Sequence, residues 1–325
     1  MFLGKYPNLL KKLKQKVIIS VVIAGVLYLA FTIYADFTNV VEAFGKFNLF
    51  LLPILFLLSF LNYFARFLKW DYYLSVVKVK MRKVDSLSTF MSGLIMSVTP
   101  AKLGEVLKSV LVKEITGEPI SKTAPIILAE RITDFLSLLL IAIVGAFMFD
   151  YGGNLTIIVA AFFILIIFII SNKKIALPII NFSERIPLIK KYIHNIHSAY
   201  ESSYQLLKIK PLFLMTLLSL VSWGFECWGY YIILVNFDVD FGLLWASFSY
   251  SFSTIVGAIS MLPGGLGLTE GSLTFLLVQK KIPVDIAVAT TFIVRVVTLW
   301  FAVFIGIVSL TFYQKRFGQI KIDSI

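Results

Sequence analysis

Charged side chains inside apolar runs are the residues of this chain whose chemistry most needs an explanation. A charge at the centre of a bilayer costs about 2.5–3.5 kcal/mol on insertion scales, so such residues are held by a partner or serve a ligand. Glu130, Arg131 and Asp134 lie in the first third of an apolar run at 124–149. Their spacing of three and four residues puts them on one helical face, where Arg131 can pair with Asp134 in place. Arg295 lies about a third of the way along a second run at 286–312 and has no acid beside it. Glu270 and Glu226, in neighbouring apolar segments, are its candidate partners. Arginine's planar fork also suits phosphate, which it can grip bidentately. Two readings are open: neutralised ion pairs that pack helices, or a polar site for an anionic lipid headgroup. Arg66 and Lys69 lie near the end of their own run, where snorkelling to the membrane surface is the ordinary expectation.

Upstream of each buried arginine stands a broken segment. Ser97-Val98-Thr99-Pro100-Ala101-Lys102-Leu103-Gly104-Glu105 precedes Arg131, and Ser260-Met261-Leu262-Pro263-Gly264-Gly265-Leu266-Gly267-Leu268-Thr269-Glu270 precedes Arg295. Arginine follows proline by 31 residues in the first case and by 32 in the second. Paired Pro/Gly interruptions in the two halves of a membrane protein point to a transporter site. Proline removes a backbone donor and glycine loosens a helix. Non-helical backbone at membrane depth is tolerated only where protein or a water-filled cavity covers it. Gly104, Gly264, Gly265 and Gly267 permit close backbone approach, and the helix starts that follow could turn their positive ends toward an anion. Glu105, Glu130, Asp134 and Glu270 are the candidate titrating groups.

The composition says what must position these residues. The chain is 59% hydrophobic and only 15% charged, against about 45–50% and about 25% in soluble domains. Several mostly apolar runs reach the 18 or more residues that a membrane helix needs, and the alternating segments of a membrane barrel are missing. The expected fold is therefore an all-α polytopic membrane protein forming one domain over 1–325. Spans are expected at 17–35, 49–67, 124–149, 154–171, 211–235 and 286–312, with re-entrant or broken helical hairpins at 87–114 and 243–281. The basic N-terminus and the apolar stretch Val17–Ala35 read as a retained first helix, because the stretch is long and has no clear cleavage site.

The formal charge of +12 sits in juxtamembrane lysines and follows the positive-inside rule; no nucleic-acid motif accompanies it. That rule puts both termini in the cytoplasm and Asp238 and Asp240 outside. The two halves, about 49–149 and about 211–312, then have opposite orientation, an inverted repeat with its site at the repeat interface. The connection at about 172–210 carries Ile186, Ile189, Ile193, Ile196 and Tyr200 at helical spacing, which fits an interfacial amphipathic helix or a solvated linker. His194 and His197 lack a clear third ligand, so no metal is expected. No nucleophile motif, phosphate-binding loop or dinucleotide fingerprint appears, so neither a catalytic residue nor a cofactor is assigned. The single Cys227 excludes an intrachain disulfide.

These pieces resemble a known family: the membrane region of the lysylphosphatidylglycerol synthases (the multiple peptide resistance factor) and its stand-alone, flippase-like relatives. The matching pieces are Arg66-Phe67-Leu68-Lys69-Trp70, Thr99 to Glu105 with Lys108, Glu130-Arg131-Ile132-Thr133-Asp134, Leu262 to Gly271, and Arg295 with Trp300. They run across about residues 10–315. The resemblance implies a cell-membrane protein that binds or moves phospholipid or polyprenyl-phosphate-type lipids between leaflets, without ATP hydrolysis. The chain ends at Ile325, soon after the last span, so the expectation is of the translocase part without aminoacyl transfer. Under this reading Arg66, Lys102, Gly104, Glu105, Glu130, Arg131, Asp134, Glu226, Gly264, Gly265, Gly267, Glu270 and Arg295 are the candidate substrate-binding residues. A membrane enzyme acting on a lipid-linked substrate, or an envelope scaffold, is the alternative; homo-oligomer formation is left open.

Overall fold

The computed structural model describes residues 36–99, 105–149, 153–183 and 193–318, with scattered helical positions between 19 and 33. Most of the expected first span, the Pro100–Gly104 piece with Lys102, and Ile186 and Ile189 of the amphipathic stretch lie outside the described residues.

Every regular element among the described residues is helical. In chain order they are α1 (Phe37–Lys46), α2 (Leu52–Val76, entered through a 3-10 turn at Leu49–Leu51), α3 (Lys83–Gly93, continued by a 3-10 turn at Leu94–Val98), α4 (Leu107–Thr116), α5 (Ile120–Phe149), α6 (Gly153–Ser171), α7 (Lys173–Ser183), α8 (Ile193–Leu206), α9 (Ile209–Asn236), α10 (Gly242–Ile259), α11 (Leu268–Gln279), α12 (Val284–Arg295) and α13 (Phe301–Phe317). Among the described residues, five helical stretches are long and apolar enough to cross a membrane: Leu49–Val76, Ile120–Phe149, Ile209–Asn236, Gly242–Ile259 and Val284–Phe317. Ile157–Ser171 is a shorter apolar helix.

Three differences from the sequence expectations matter for function. First, α2 continues to Val76 rather than ending near 67, because its polar end is buried against other helices and is not exposed at a membrane surface. Second, the 243–281 region has unequal arms. At 1.5 Å per residue, α10 alone spans about 27 Å, close to the hydrocarbon thickness, while the 12-residue α11 is shorter; the arms pack against each other. Third, the last stretch is interrupted by a π-helical turn at Val296–Trp300, directly after Arg295.

The halves pack reciprocally. Helix α2 lies on α9; α5 of the first half packs on α10 of the second, and α13 of the second packs on α3 of the first. The turns that close α2 and α9 also match. Lys78 (φ 58) and Asp238 (φ 57) both adopt the left-handed conformation. The following amides then cap the helix: Val79 N–H donates to Leu74 O (2.9 Å) and Val239 N–H to Leu234 O (3.0 Å). Apolar packing gathers into two main clusters. One, around Tyr230, Trp245 and Phe248, joins α9, α10, α11 and α12 to α5. The other, around Trp70, Tyr73 and Phe90, joins α2, α3 and α5. Helix α8 packs on α5 and α6, so its apolar side is covered by protein; Tyr200 O–H donates to Ile170 O (3.3 Å).

Candidate functional site

The charges of the first half form one connected network. Lys69 is 1% exposed and does not snorkel. Its Nζ donates to Asp134 Oδ1 (2.5 Å), Ser219 Oγ (2.7 Å), Thr133 Oγ1 (3.2 Å) and Glu130 O (3.3 Å). Helix α2 delivers Lys69 to this point because Arg66, Lys69 and Tyr73 recur at three- and four-residue spacing on its buried side. Arg66 reaches the other oxygen, Asp134 Oδ2, at 3.6 Å. Asp134 therefore serves Lys69 and Arg66, and the expected in-place pair with Arg131 is not its arrangement. Arg131 pairs instead with Glu105, across from α4's entry. Lys108 connects the two groups: its Nζ lies 2.5 Å from Glu130 Oε2 and 3.8 Å from Glu105 Oε2, above the faces of Trp70 and Phe90. A buried ammonium is stable there because two carboxylates and two ring faces replace its water.

The second half repeats the arginine–glutamate pair with different surroundings. Arg295 Nε donates to Glu270 Oε1 (2.7 Å) and its second arm donates to Gly264 O (2.5 Å). The other oxygen of Glu270 accepts from Gly267 N–H (2.7 Å), closing the N-terminus of α11. That helix start, expected to face an anion, is thus met by the chain's own carboxylate. The Pro-Gly-Gly-Leu-Gly run is explained by its backbone: Gly264 (φ 61), Gly265 (φ 67) and Gly267 (φ 86) all occupy the left-handed region, which glycine reaches without steric cost. At Gly265 a Cβ would also stand 2.6 Å from Thr269 Oγ1 and 3.1 Å from Gly257 Cα.

Between these two arrangements lies a cavity of about 90 Å³. Its wall brings together Arg66 from α2, Glu226 from α9, Tyr250 from α10, Gly264 and Gly265 from the second break, and Arg295 from α12. Ser97, at the start of the first break, also faces it, so both broken segments meet at the cavity; a Cβ on Gly264 would lie 3.6 Å from Ser97 O. Tyr250 O–H donates to Glu226 Oε2 (2.7 Å). Glu226, considered as a partner for Arg295, is bonded to this hydroxyl, and the acid bonded to Arg295 Nε is Glu270. The π turn shapes the same wall. It places Thr298 there, with Thr298 O accepting from Tyr63 O–H (2.5 Å).

Of the thirteen candidate residues, Arg66, Glu226, Gly264, Gly265 and Arg295 share the cavity wall. Asp134, Gly267 and Glu270 stand one contact behind it. Glu105, Glu130 and Arg131 belong to the network around Lys108, off the wall. Lys102 and Gly104 lie outside the described residues. Sequence reasoning missed Tyr63, Tyr250 and Thr298 on the wall. Tyr63 is three residues before Arg66, a signal that was present; nothing local marks the π turn that places Thr298.

Apolar spanning helices, buried ion pairs and a polar cavity at a break define an all-α polytopic membrane protein. The chain belongs to the family described as the lysylphosphatidylglycerol synthase TM region, whose sequence profile matches residues 17–306. It is similar to the UPF0104 membrane protein MJ1078 of Methanocaldococcus jannaschii, with 27% identity over 231 residues, covering 68% of this chain and 94% of that protein. It is also similar to a UPF0104 membrane protein of Methanothermobacter thermautotrophicus, with 24% identity over 237 residues, covering 67% and 70% of the two chains.

Proposed function

We propose that this protein is a flippase-like transporter that moves a phospholipid or lipid-linked anionic substrate between the leaflets of the cell membrane without ATP hydrolysis. The observation that carries the reading is the cavity between the two broken segments, walled by the guanidinium groups of Arg66 and Arg295. A guanidinium is an effective phosphate ligand away from water. Family membership supports a role connected with membrane lipids. In this reading the halves form an inverted repeat. The matched turns support it: the same left-handed geometry carries a lysine at 78 and an aspartate at 238. Under the positive-inside rule a lysine turn and an aspartate turn fit opposite faces, and this reading takes both termini as cytoplasmic. Rocking of one half against the other would open the cavity to each leaflet in turn.

The test is reconstitution into liposomes holding fluorescent phosphatidylglycerol, phosphatidylethanolamine or a polyprenyl phosphate. Wild type is expected to move at least one phosphate-bearing lipid. Arg66→Gln is expected to lose most of that movement while staying folded, because Asp134 keeps Lys69. Absence of movement by well-folded wild type for the whole panel would overturn the reading.

A further inference from the structure

Two residues of the cavity wall carry a buried N–H with no hydrogen-bond partner: Arg66 at Nε and Trp223 at Nε1. Several other donors of the wall are spent on neighbours. Tyr63 O–H donates to Thr298 O and Tyr250 O–H to Glu226 Oε2. The hydroxyls of Thr254 and Thr298 donate to the carbonyls of Tyr250 and Val294. Buried donors are almost always paired, and one without an acceptor costs free energy. Packing alone does not account for Trp223. It is 6% exposed and belongs to the apolar cluster of Cys227 and Tyr230, a role that a phenylalanine ring would also fill. What the indole adds is its N–H, which donates and cannot accept.

The fold keeps the two donors in a fixed relation. Helices α2 and α9 exchange hydrogen bonds at one level: Asn62 Nδ2 donates to Ser222 O (2.9 Å) and Ser222 Oγ to Asn62 O (3.3 Å). Trp223 follows Ser222 directly, and Arg66 stands one turn after Asn62. One donor is charged, with Asp134 shared between Arg66 and Lys69; the other is neutral. Together they suit a group that carries two oxygens and one negative charge. A donor-only pair offers nothing to an ammonium.

We infer that Trp223 is a substrate-binding residue: its indole N–H donates to one phosphate oxygen of an anionic lipid headgroup while Arg66 Nε–H donates to another. The inference rests on the transporter reading above and adds a neutral phosphate ligand to its cavity. Parting of the halves would bare both donors, and the headgroup supplies the acceptors that the wall does not.

The experiment uses the full chain in detergent with short-chain phosphatidylglycerol, and with inorganic phosphate as the comparison without a lipid. Calorimetry reads the affinity of wild type, Trp223→Phe and Trp223→His. The phenylalanine variant is expected to bind lipid about tenfold more weakly, as befits one hydrogen bond to a charged group. The histidine variant, which has a ring N–H, is expected to recover part of that loss. In wild type with isotope-labelled tryptophan, one of the five indole N–H signals, the one missing from Trp223→Phe, is expected to move downfield as lipid binds. Movement of fluorescent phosphatidylglycerol in liposomes is read on the same proteins. Equal lipid affinity in wild type and Trp223→Phe would overturn the inference. So would wild-type binding that shifts none of the five indole signals, a result that does not depend on the variant folding. Inorganic phosphate bound as tightly as the lipid would overturn the headgroup assignment, and no binding of either probe would overturn the inference as a whole. Lipid moved equally by wild type and Trp223→Phe would overturn Trp223 as a ligand and leave the transporter reading standing. Lipid bound as expected but never moved would overturn the transporter reading and leave Trp223 as the phosphate donor.

Discussion

The two arginine–glutamate pairs are the same device put to two uses. Arg131 pairs with Glu105 and Arg295 with Glu270, and each arginine reaches back to a glutamate beside a break. Their surroundings differ. Around the first pair stand Lys108 and Glu130, so each charge has several neighbours and the loss of one can be shared. Arg131 also keeps 19% of its side chain exposed. The second pair is more deeply buried: Glu270, 0% exposed, serves both Arg295 and the start of α11, and Arg295 also donates to Gly264 O. Two similar pairings therefore differ in energetic weight, which is set by burial and by how many partners share each charge.

Removing each glutamate tests that contrast first. Glu270→Ala removes the carboxylate bonded to the buried Arg295 and uncaps a helix, so a loss of about 3–5 kcal/mol is expected. Glu105→Ala is expected to cost about 1–3 kcal/mol, because Arg131 retains water and Lys108 retains Glu130. Unfolding of both variants in detergent measures the difference; equal losses would break the comparison.

The two breaks are also gripped differently. The 3-10 turn at Leu94–Val98 is held by α13 at Gly306, where an added Cβ would stand 2.2 Å from Ile95 N. The second break is held within its own hairpin at Gly257, where the Cβ would meet Thr269 Oγ1 at 1.9 Å. Backbone cannot step aside as a rotatable hydroxyl can. Gly306→Ala should lower stability by about 3 kcal/mol and Gly257→Ala by about 1 kcal/mol, the two ends of the overpacking range. A reversed order in thermal unfolding would show that the first break is the more adaptable.

The matched turns give a smaller test. A left-handed conformation is costly for most side chains and less so for aspartate, which bonds locally. Lys78→Gly should raise stability by about 0.5–1 kcal/mol, and Asp238→Gly by less. A destabilised Lys78→Gly would mean that the lysine side chain itself holds the turn.

The smallest effect is expected where Lys173 bonds Glu201 (2.9 Å) on α7 and α8. That bond holds the Glu201 carboxyl below its ordinary range. Its contribution is present above the unfolded carboxylate value, about 4.3, and disappears as pH falls through the lower folded value. Both side chains are largely in water, so Glu201→Gln should cost less than about 0.5 kcal/mol, with little pH dependence in the unfolding midpoint.

Much of this was legible in the residues themselves. The apolar runs, the Pro-Gly-Gly-Leu-Gly break and the rare intramembrane charges are local facts of composition and spacing, and each follows from the cost of charge or unpaired backbone in lipid. Glu270 could be named as a partner for Arg295 for the same reason: a buried guanidinium needs an acid, and few were near. The partner of Arg131 could not be read this way. Asp134 was the nearest acid along the helix, but α2 places Lys69 and Arg66 on it from another part of the chain. Lys69 itself looked like a snorkelling lysine because its distance from the end of the apolar run is visible and the helices packed over it are not.

By itself, then, the sequence determined that this chain is a helical membrane protein with two broken segments and a small set of buried charges, because those features are set by the solvent the chain must tolerate. Only the tertiary structure decided which charges meet, that Arg66, Glu226 and Arg295 share one cavity, and that the other acids stand away from its wall. Ion pairing and cavity shape depend on distances between residues far apart in the chain, and those distances exist only once the helices have packed.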